Sequence, residues 1–222
     1  MRSEDLISQL VAEARPVRRL RSPFWQAAIW LGVAFAVLTI VVAWHGLRPG
    51  LAERIVLAEF LIPWLASVAT GVLAVVAAFH LALPDRTDRW RLAPLPTLAL
   101  WAASLGAGCY RDWLQVGPQG LALGTSFSCL AAIVLSSVPL GGLLFFMVRH
   151  AGPIRPLSTA LTGALAVASL SSAALDLFHG LDAAIMIFVW HVGSVALVVA
   201  VLGQVGRAAL IRATPRLDPT AA

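Results

Sequence analysis

The side chains best suited to bind a metal or change oxidation state are two cysteines and five histidines. Cys109 and Cys129 do not form a C-x-x-C pair, so thiol–disulfide oxidoreductase chemistry has little support. Two thiols with a nearby imidazole suit a soft metal ion, and His179 is positioned in the chain to supply that imidazole. The competing reading makes both cysteines small buried hydrophobes. His191, beside Trp190, is the histidine deepest inside an apolar run. Haem ligation needs a second histidine at matching depth, and His191 has no evident mate. His80, His150, Glu59, Asp176 and Asp182 fall near the ends of apolar runs. An ion or proton pathway needs polar groups stacked through the membrane, and the sequence does not supply them. No catalytic constellation is present and no enzymatic activity is expected.

The elements that carry these residues belong to lipid rather than water. Of 222 residues, 59% are hydrophobic and 12% charged, whereas soluble domains carry about 25% charged residues. Mean hydropathy is +0.86. Apolar runs of the length that crosses ~30 Å of hydrocarbon recur along the chain. They are continuous, not alternating, which argues against a β-barrel. The expected fold is all-α, a polytopic six-helix transmembrane bundle with a short cytoplasmic N-terminal amphipathic helix. Spans are expected at 24–44, 60–83, 94–109, 126–148, 157–177 and 183–205, the third and fifth rich in Ala, Gly and Ser. Residues 1–23 are then a leader, 24–205 the six-span domain and 206–222 a cytoplasmic tail. No internal repeat supports an inverted-repeat transporter.

Basic residues orient the spans. All 16 Lys and Arg are arginines, and the net charge is +5. In a soluble protein that balance would suggest nucleic acid; here no direct nucleic-acid contact is expected. With six spans, thirteen arginines fall on the side of the termini and only Arg48, Arg54 and Arg111 on the other. Cytoplasmic loops retain Lys and Arg, so both termini are expected in the cytoplasm of a bacterial inner membrane. The first span is too long for a cleaved signal peptide and no small-x-small site follows Trp44. Trp25, Trp44 and Trp113 fit interfacial positions. Ala160, Ala164, Ala168 and Ser172 recur every four residues and make a flat packing face. Pro139 removes a backbone hydrogen bond in the fourth span, and Ser136 and Ser137 are placed to satisfy freed carbonyls.

The leader MRSEDLISQLVAEARPVRRLRSPFW has a pattern of its own. Ser3 suits an N-cap, with Glu4 and Asp5 in the first turn. Leu6, Ile7, Leu10, Val11 and Ala14 form one apolar stripe, and Pro16 ends the helix at about Ala14. About three turns of helix are marginal alone in water, so the stripe needs something to bury it. Interfacial helices carry Lys and Arg on the polar face, but Glu4, Asp5 and Glu13 make this one acidic. The basic run after Pro16 suits lipid headgroups, which makes membrane lipid a partner of that run. For the helix itself, a groove on a cytoplasmic protein fits better. The alternative is a helix packed on the bundle's own loops.

Taken in order, DLISQLVAEARPV, SCLAAIVLSSVPL, RHAGPIRPLSTALTGALAVA and HGLDAAIMIFVWH resemble the NrsF-like family of bacterial membrane anti-sigma factors over nearly the whole chain. The resemblance implies that the leader holds an extracytoplasmic-function sigma factor at the membrane, with Leu6, Ile7, Leu10, Val11, Pro16 and Val17 as docking positions. It also implies sensing of metal or oxidative stress by periplasmic-side cysteines. Cys129 matches one of these. The second is usually just before the sixth span, where this chain has His179, so Cys109 or His179 would complete the sensor. No cofactor is expected beyond a regulatory metal ion. The competing classes are a small transporter or channel, which would show solute flux, and a membrane redox protein, which would show a bound quinone or haem.

Overall fold

The computed structural model describes residues 3–13, 21–116, 127–149, 154–178 and 193–213, and among these every regular element is helical. In chain order they are α1 (Ser3–Glu13), α2 (Pro23–His45), the single turn α3 (Leu51–Arg54), α4 (Ala58–Leu81), a 3-10 turn (Asp88–Leu92), α5 (Leu95–Val116), α6 (Phe127–Val148), α7 (Pro156–Phe178) and α8 (Gly193–Ala213). Five stretches are long and apolar enough to cross a membrane: Pro23–His45, Ala58–Leu81, Asp88–Gln115, Pro156–Phe178 and Val195–Arg212. The described apolar part of α6, Val134–Val148, is shorter, although α6 itself runs for 22 residues.

Local chemistry sets these boundaries. Ser22 caps α2 by accepting the Trp25 amide at 3.3 Å, and Pro23 occupies the first helical turn, where its missing N–H costs nothing. Gly46, at φ +78°, ends α2 in a conformation L side chains rarely adopt. Two helices depart from their expected lengths. The third expected span stops at Cys109, but α5 continues to Val116, so Cys109 lies two turns inside its end and Trp113 is helical. Within the extension the Arg111 guanidinium pairs with Glu59 at the start of α4, an exposed contact between the two helices. The final helix passes the expected stop at 205 and includes Arg207 and Arg212. Pro215 is the first proline after it.

Helix α7 is the post of the bundle. It packs against α2, α4, α6 and α8, and residues 162–175 are almost all buried. Its expected small-residue face is used in this way: Ala164, Ala168 and Ser172 are buried, and Gly206 of α8 comes down on Ala160. The seam with α4 is the most extensive. There Trp64 Nε1 donates to Ala173 O at 3.0 Å and Ser67 Oγ to Ser169 O at 2.9 Å. One turn on, Gly71 faces Leu170 so closely that a Cβ would lie 2.6 Å from Leu170 Cγ and 3.2 Å from Ala166 O. Backbone contact of this kind is what small residues permit between helices.

The largest core group gathers Trp30, Ala34 and Leu38 of α2, Val75 and Phe79 of α4, Leu140 and Leu144 of α6, and Val167 and Leu170 of α7. A second group joins Trp101 of α5 and Val195 and Val198 of α8 to Ala168 and Leu175. Helix α6 runs through Pro139. Trp30 Nε1 donates to the carbonyl of Leu140, the residue after the proline, at 3.2 Å. Ser137 was expected to satisfy a freed carbonyl, but its buried hydroxyl has no hydrogen-bond partner among the described residues.

Gly71→Ala is expected to destabilise the bundle by about 1–3 kcal/mol, the usual cost of an extra methyl in a packed seam. Gly32→Ala, where a Cβ meets nothing within 4 Å, should be neutral or stabilising by up to ~1 kcal/mol through helix propensity. Unfolding of both variants in detergent reads the difference; equal stabilities would contradict the α4–α7 contact.

Candidate functional site

Helix α1 forms where the sequence places it. Glu4 and Asp5 lie in its first turn, against the partial positive charge of the helix N-terminus, and Ser8 Oγ donates back to Glu4 O at 2.8 Å. Ile7 and Val11, one turn apart, are 59% and 70% exposed. Helix α1 takes no part in the main packings among the described helices. Burial against the bundle's own loops therefore does not account for these two apolar side chains. Leu6 and Leu10 lie on α1 at the adjoining positions; their side chains, together with Pro16 and Val17, lie outside the described residues.

The leader joins α2 at a firmly held point. Gln26 Nε2 donates to Arg21 O at 2.9 Å. The Phe24 ring meets the His80 ring edge-on, with centroids 4.6 Å apart, and His80 stacks on Trp90 at 3.9 Å. His80 is 1% exposed, and its Nδ1 lies 2.8 Å from Val76 O. Trp90 belongs to the 3-10 turn, where Asp88 pairs with Arg91 at 2.8 Å and, more loosely, with Arg155 at 3.7 Å. Arg155 Nη1 also donates to Arg86 O at 2.8 Å. A continuous set of contacts thus ties the first turn of α2 to the start of α7. The hydropathy pattern gave no sign of it, because His80 was read only as a residue near a span end and Trp90 falls in the turn between spans. Their spacing across the turn after α4, opposite the Phe24 that opens α2, was the available signal.

At the opposite end, His45 stacks on Phe178 with centroids 4.6 Å apart, and the Arg48 amide donates to Leu177 O at 3.0 Å. The Glu59–Arg111 pair joins α4 to α5 there. Opposite charges at the meeting ends of consecutive helices were the sequence signal for this pair. The sensor candidates are placed only by backbone: Cys109 on α5 and Cys129 in the first turn of α6. Their side chains and all of His179 lie outside the described residues. Helix α5 packs mainly on α4, and α6 on α7 and α8. Among the described residues, no three His, Cys, Asp or Glu side chains group as a metal site.

These features define a class first: a chain whose described elements are all helical, several of them of membrane-crossing length, with a short amphipathic helix on which Ile7 and Val11 are exposed. Residues 10–212 match the NrsF family, "Negative regulator of sigma F", and the chain belongs to that family. The match takes in Leu10, Val11, Pro16 and Val17 and leaves Leu6 and Ile7 ahead of its start. No curated protein and no solved structure matches the chain.

Ile7→Glu and Val11→Glu are expected to leave the stability of the bundle within about ±0.5 kcal/mol, as exposed substitutions do. Detergent unfolding of each variant tests this. A marked loss of stability would show that the stripe is buried on the bundle after all.

Proposed function

We propose that this protein is a non-enzymatic membrane anti-sigma factor, which holds an extracytoplasmic-function sigma factor at the bacterial inner membrane through residues 3–17. The observation that carries the reading is the exposure of Ile7 and Val11 on a helix that takes no part in the main packings among the described helices, in a chain whose family is named for negative regulation of a sigma factor. An acidic amphipathic helix with apolar anchors one turn apart suits a groove on a protein partner. Leu6, Ile7, Leu10 and Val11 bury in that groove, and Pro16 and Val17 close the contact. The basic run after Pro16 lies on anionic headgroups.

In this reading α6 is the remaining crossing. Its 22 residues give a helix ~33 Å long at 1.5 Å per residue, enough for a hydrocarbon core of ~30 Å. Six crossings with both termini in the cytoplasm follow, supported by the arginine asymmetry. Cys109 and Cys129 then lie toward the periplasm, where a metal or oxidative stress signal at these thiols, with His179, alters packing and weakens docking. A coupling of about 1–3 kcal/mol, or 5- to 150-fold in affinity, is sufficient for such a switch.

Deleting residues 2–17 is expected to release sigma-dependent transcription fully. Ile7→Glu with Val11→Glu should do nearly as much, since loss of a buried anchor costs about 2 kcal/mol or more, roughly 30-fold in affinity. A transcriptional reporter together with immunoblotting for membrane-inserted protein makes the measurement; repression that survives the deletion would sink the docking reading. Replacing Cys109 and Cys129 by Ser should abolish the response to added metal or oxidant while basal repression persists. An unchanged response would remove the thiols from the sensor.

A further inference from the structure

Between α6, α7 and α8, toward the ends that carry Arg149 and Arg155, lies an apolar cavity of about 280 Å³. A water molecule takes only ~30 Å³ of liquid, and walls of Val138, Gly142, Phe145, Gly163 and Val205 offer water nothing to bond. Val138 and Val205 are themselves exposed at its margin. The cavity therefore faces what surrounds the bundle.

Of the side chains that line it, only that of Thr159 can form a hydrogen bond, and it lies at one end. Thr159 lines the cavity and is 3% exposed, yet its Oγ1 has no hydrogen-bond partner among the described residues. A helical threonine ordinarily returns its hydroxyl to a carbonyl one turn back. Thr70 does so to Ala66 O at 2.7 Å and Thr162 to Ser158 O at 2.8 Å; Thr159 does not. Arg149 does not line the cavity but directly follows the lining residue Val148, and it continues the helical spacing of Val138, Gly142 and Phe145 on α6. Its guanidinium lies over the Phe146 ring, 4.2 Å from the centroid, and its buried Nε has no partner among the described residues. Two unsatisfied donors thus stand at the helix ends, and an apolar wall runs from them toward the middle of the bundle.

We propose that this cavity binds an anionic phospholipid, with one acyl chain along Phe145, Gly142 and Val138, an ester oxygen at Thr159 and the phosphate at Arg149. The order of polarity in the site is that of the lipid. Both orphaned groups need acceptors, which a phosphodiester and an ester supply and a second apolar helix does not. The proposal rests on the membrane embedding proposed above and is independent of sigma docking. A lipid there would wedge α6 against α7 and α8, making the packing of these helices sensitive to membrane composition.

The test is native mass spectrometry of the full chain in mild detergent, titrated with phosphatidylglycerol or phosphatidylcholine. The wild type is expected to retain phosphatidylglycerol in preference to phosphatidylcholine. Gly142→Leu, which adds a side chain where a Cβ meets nothing within 4 Å, should abolish retention of both. Thr159→Val, close in shape, should weaken both. Arg149→Gln should weaken phosphatidylglycerol by about tenfold, the loss of a charge-assisted hydrogen bond, and phosphatidylcholine less, because its choline already offsets the phosphate charge, so the preference between the two is lost. Circular dichroism confirms that each variant keeps its helices. Unchanged retention in Gly142→Leu overturns the proposal. So does a wild-type dimer without lipid that Gly142→Leu converts to monomer, which would assign the cavity to a second copy. Protein that needs detergent yet carries no lipid overturns the lipid site alone, whereas protein that stays soluble without detergent overturns the embedding as well.

Discussion

Where helices are apolar on every side, burial of large side chains cannot select their partners, and close backbone approach must do so. Helix α7 meets that constraint with Ala, Gly, Ser and Thr along most of its length. Because it carries little bulk, α4 can bring Gly71 onto Leu170, and α8 can bring Gly206 onto Ala160. At that range Trp64 and Ser67 reach main-chain oxygens of α7. These bonds fix the register that apolar contact alone would leave free to slide. The other packings follow from that placement, with α2 and α6 filling one side and α5 held through α4.

The same constraint separates the leader from the bundle. With α7 already covered by α2, α4, α6 and α8, the main seams are formed without α1. The chain emerging from α1 is held again at Phe24, which rests on His80 and Trp90. Through Asp88 and Arg155 this aromatic group connects to the start of α7. The segment proposed to bind a partner is therefore exposed, while the point from which it springs is fixed to the most buried helix. That arrangement suits a tether that presents a peptide. It also leaves a physical connection between the central packing and the base of that peptide.

How much of this the sequence disclosed depended on the signal involved. Long runs with clear ends were legible: Ser22–Pro23 and Gly46 bracket α2, and α7 begins at Pro156, one residue ahead of its expected start. The amphipathic α1 was equally plain from Leu6, Ile7, Leu10 and Val11. Hydropathy misjudged the end of α5, because Arg111 looks like a stop unless Glu59 is known to meet it. It likewise stopped α8 before Arg207. The composition that made the fifth span look weak, its Ala and Ser content, is what makes α7 the centre. Interior tryptophans were missed for a related reason: Trp30 and Trp64 read as generic apolar residues, yet their indole N–H groups lock helices together. For the candidate site, the spacing marked an apolar stripe of Leu6, Ile7, Leu10, Val11 and Ala14; of these Ile7 and Val11 are exposed, and the side chains of the other three lie outside the described residues. The His80–Trp90 stack depends on a turn geometry that periodicity does not encode.

The central claim is that residues 3–17 make the contact with the sigma factor and the bundle only holds them. Hydrogen–deuterium exchange on the full-length protein in lipid nanodiscs, with and without the sigma factor, tests it most directly. A helix of this length without partners exchanges quickly, so the account predicts fast exchange across residues 3–13 alone and strong protection on adding the sigma factor. The amides of α4 and α7 should be slow in both states. Protection that appeared instead in the 82–94 turn, with residues 3–13 unchanged, would contradict it.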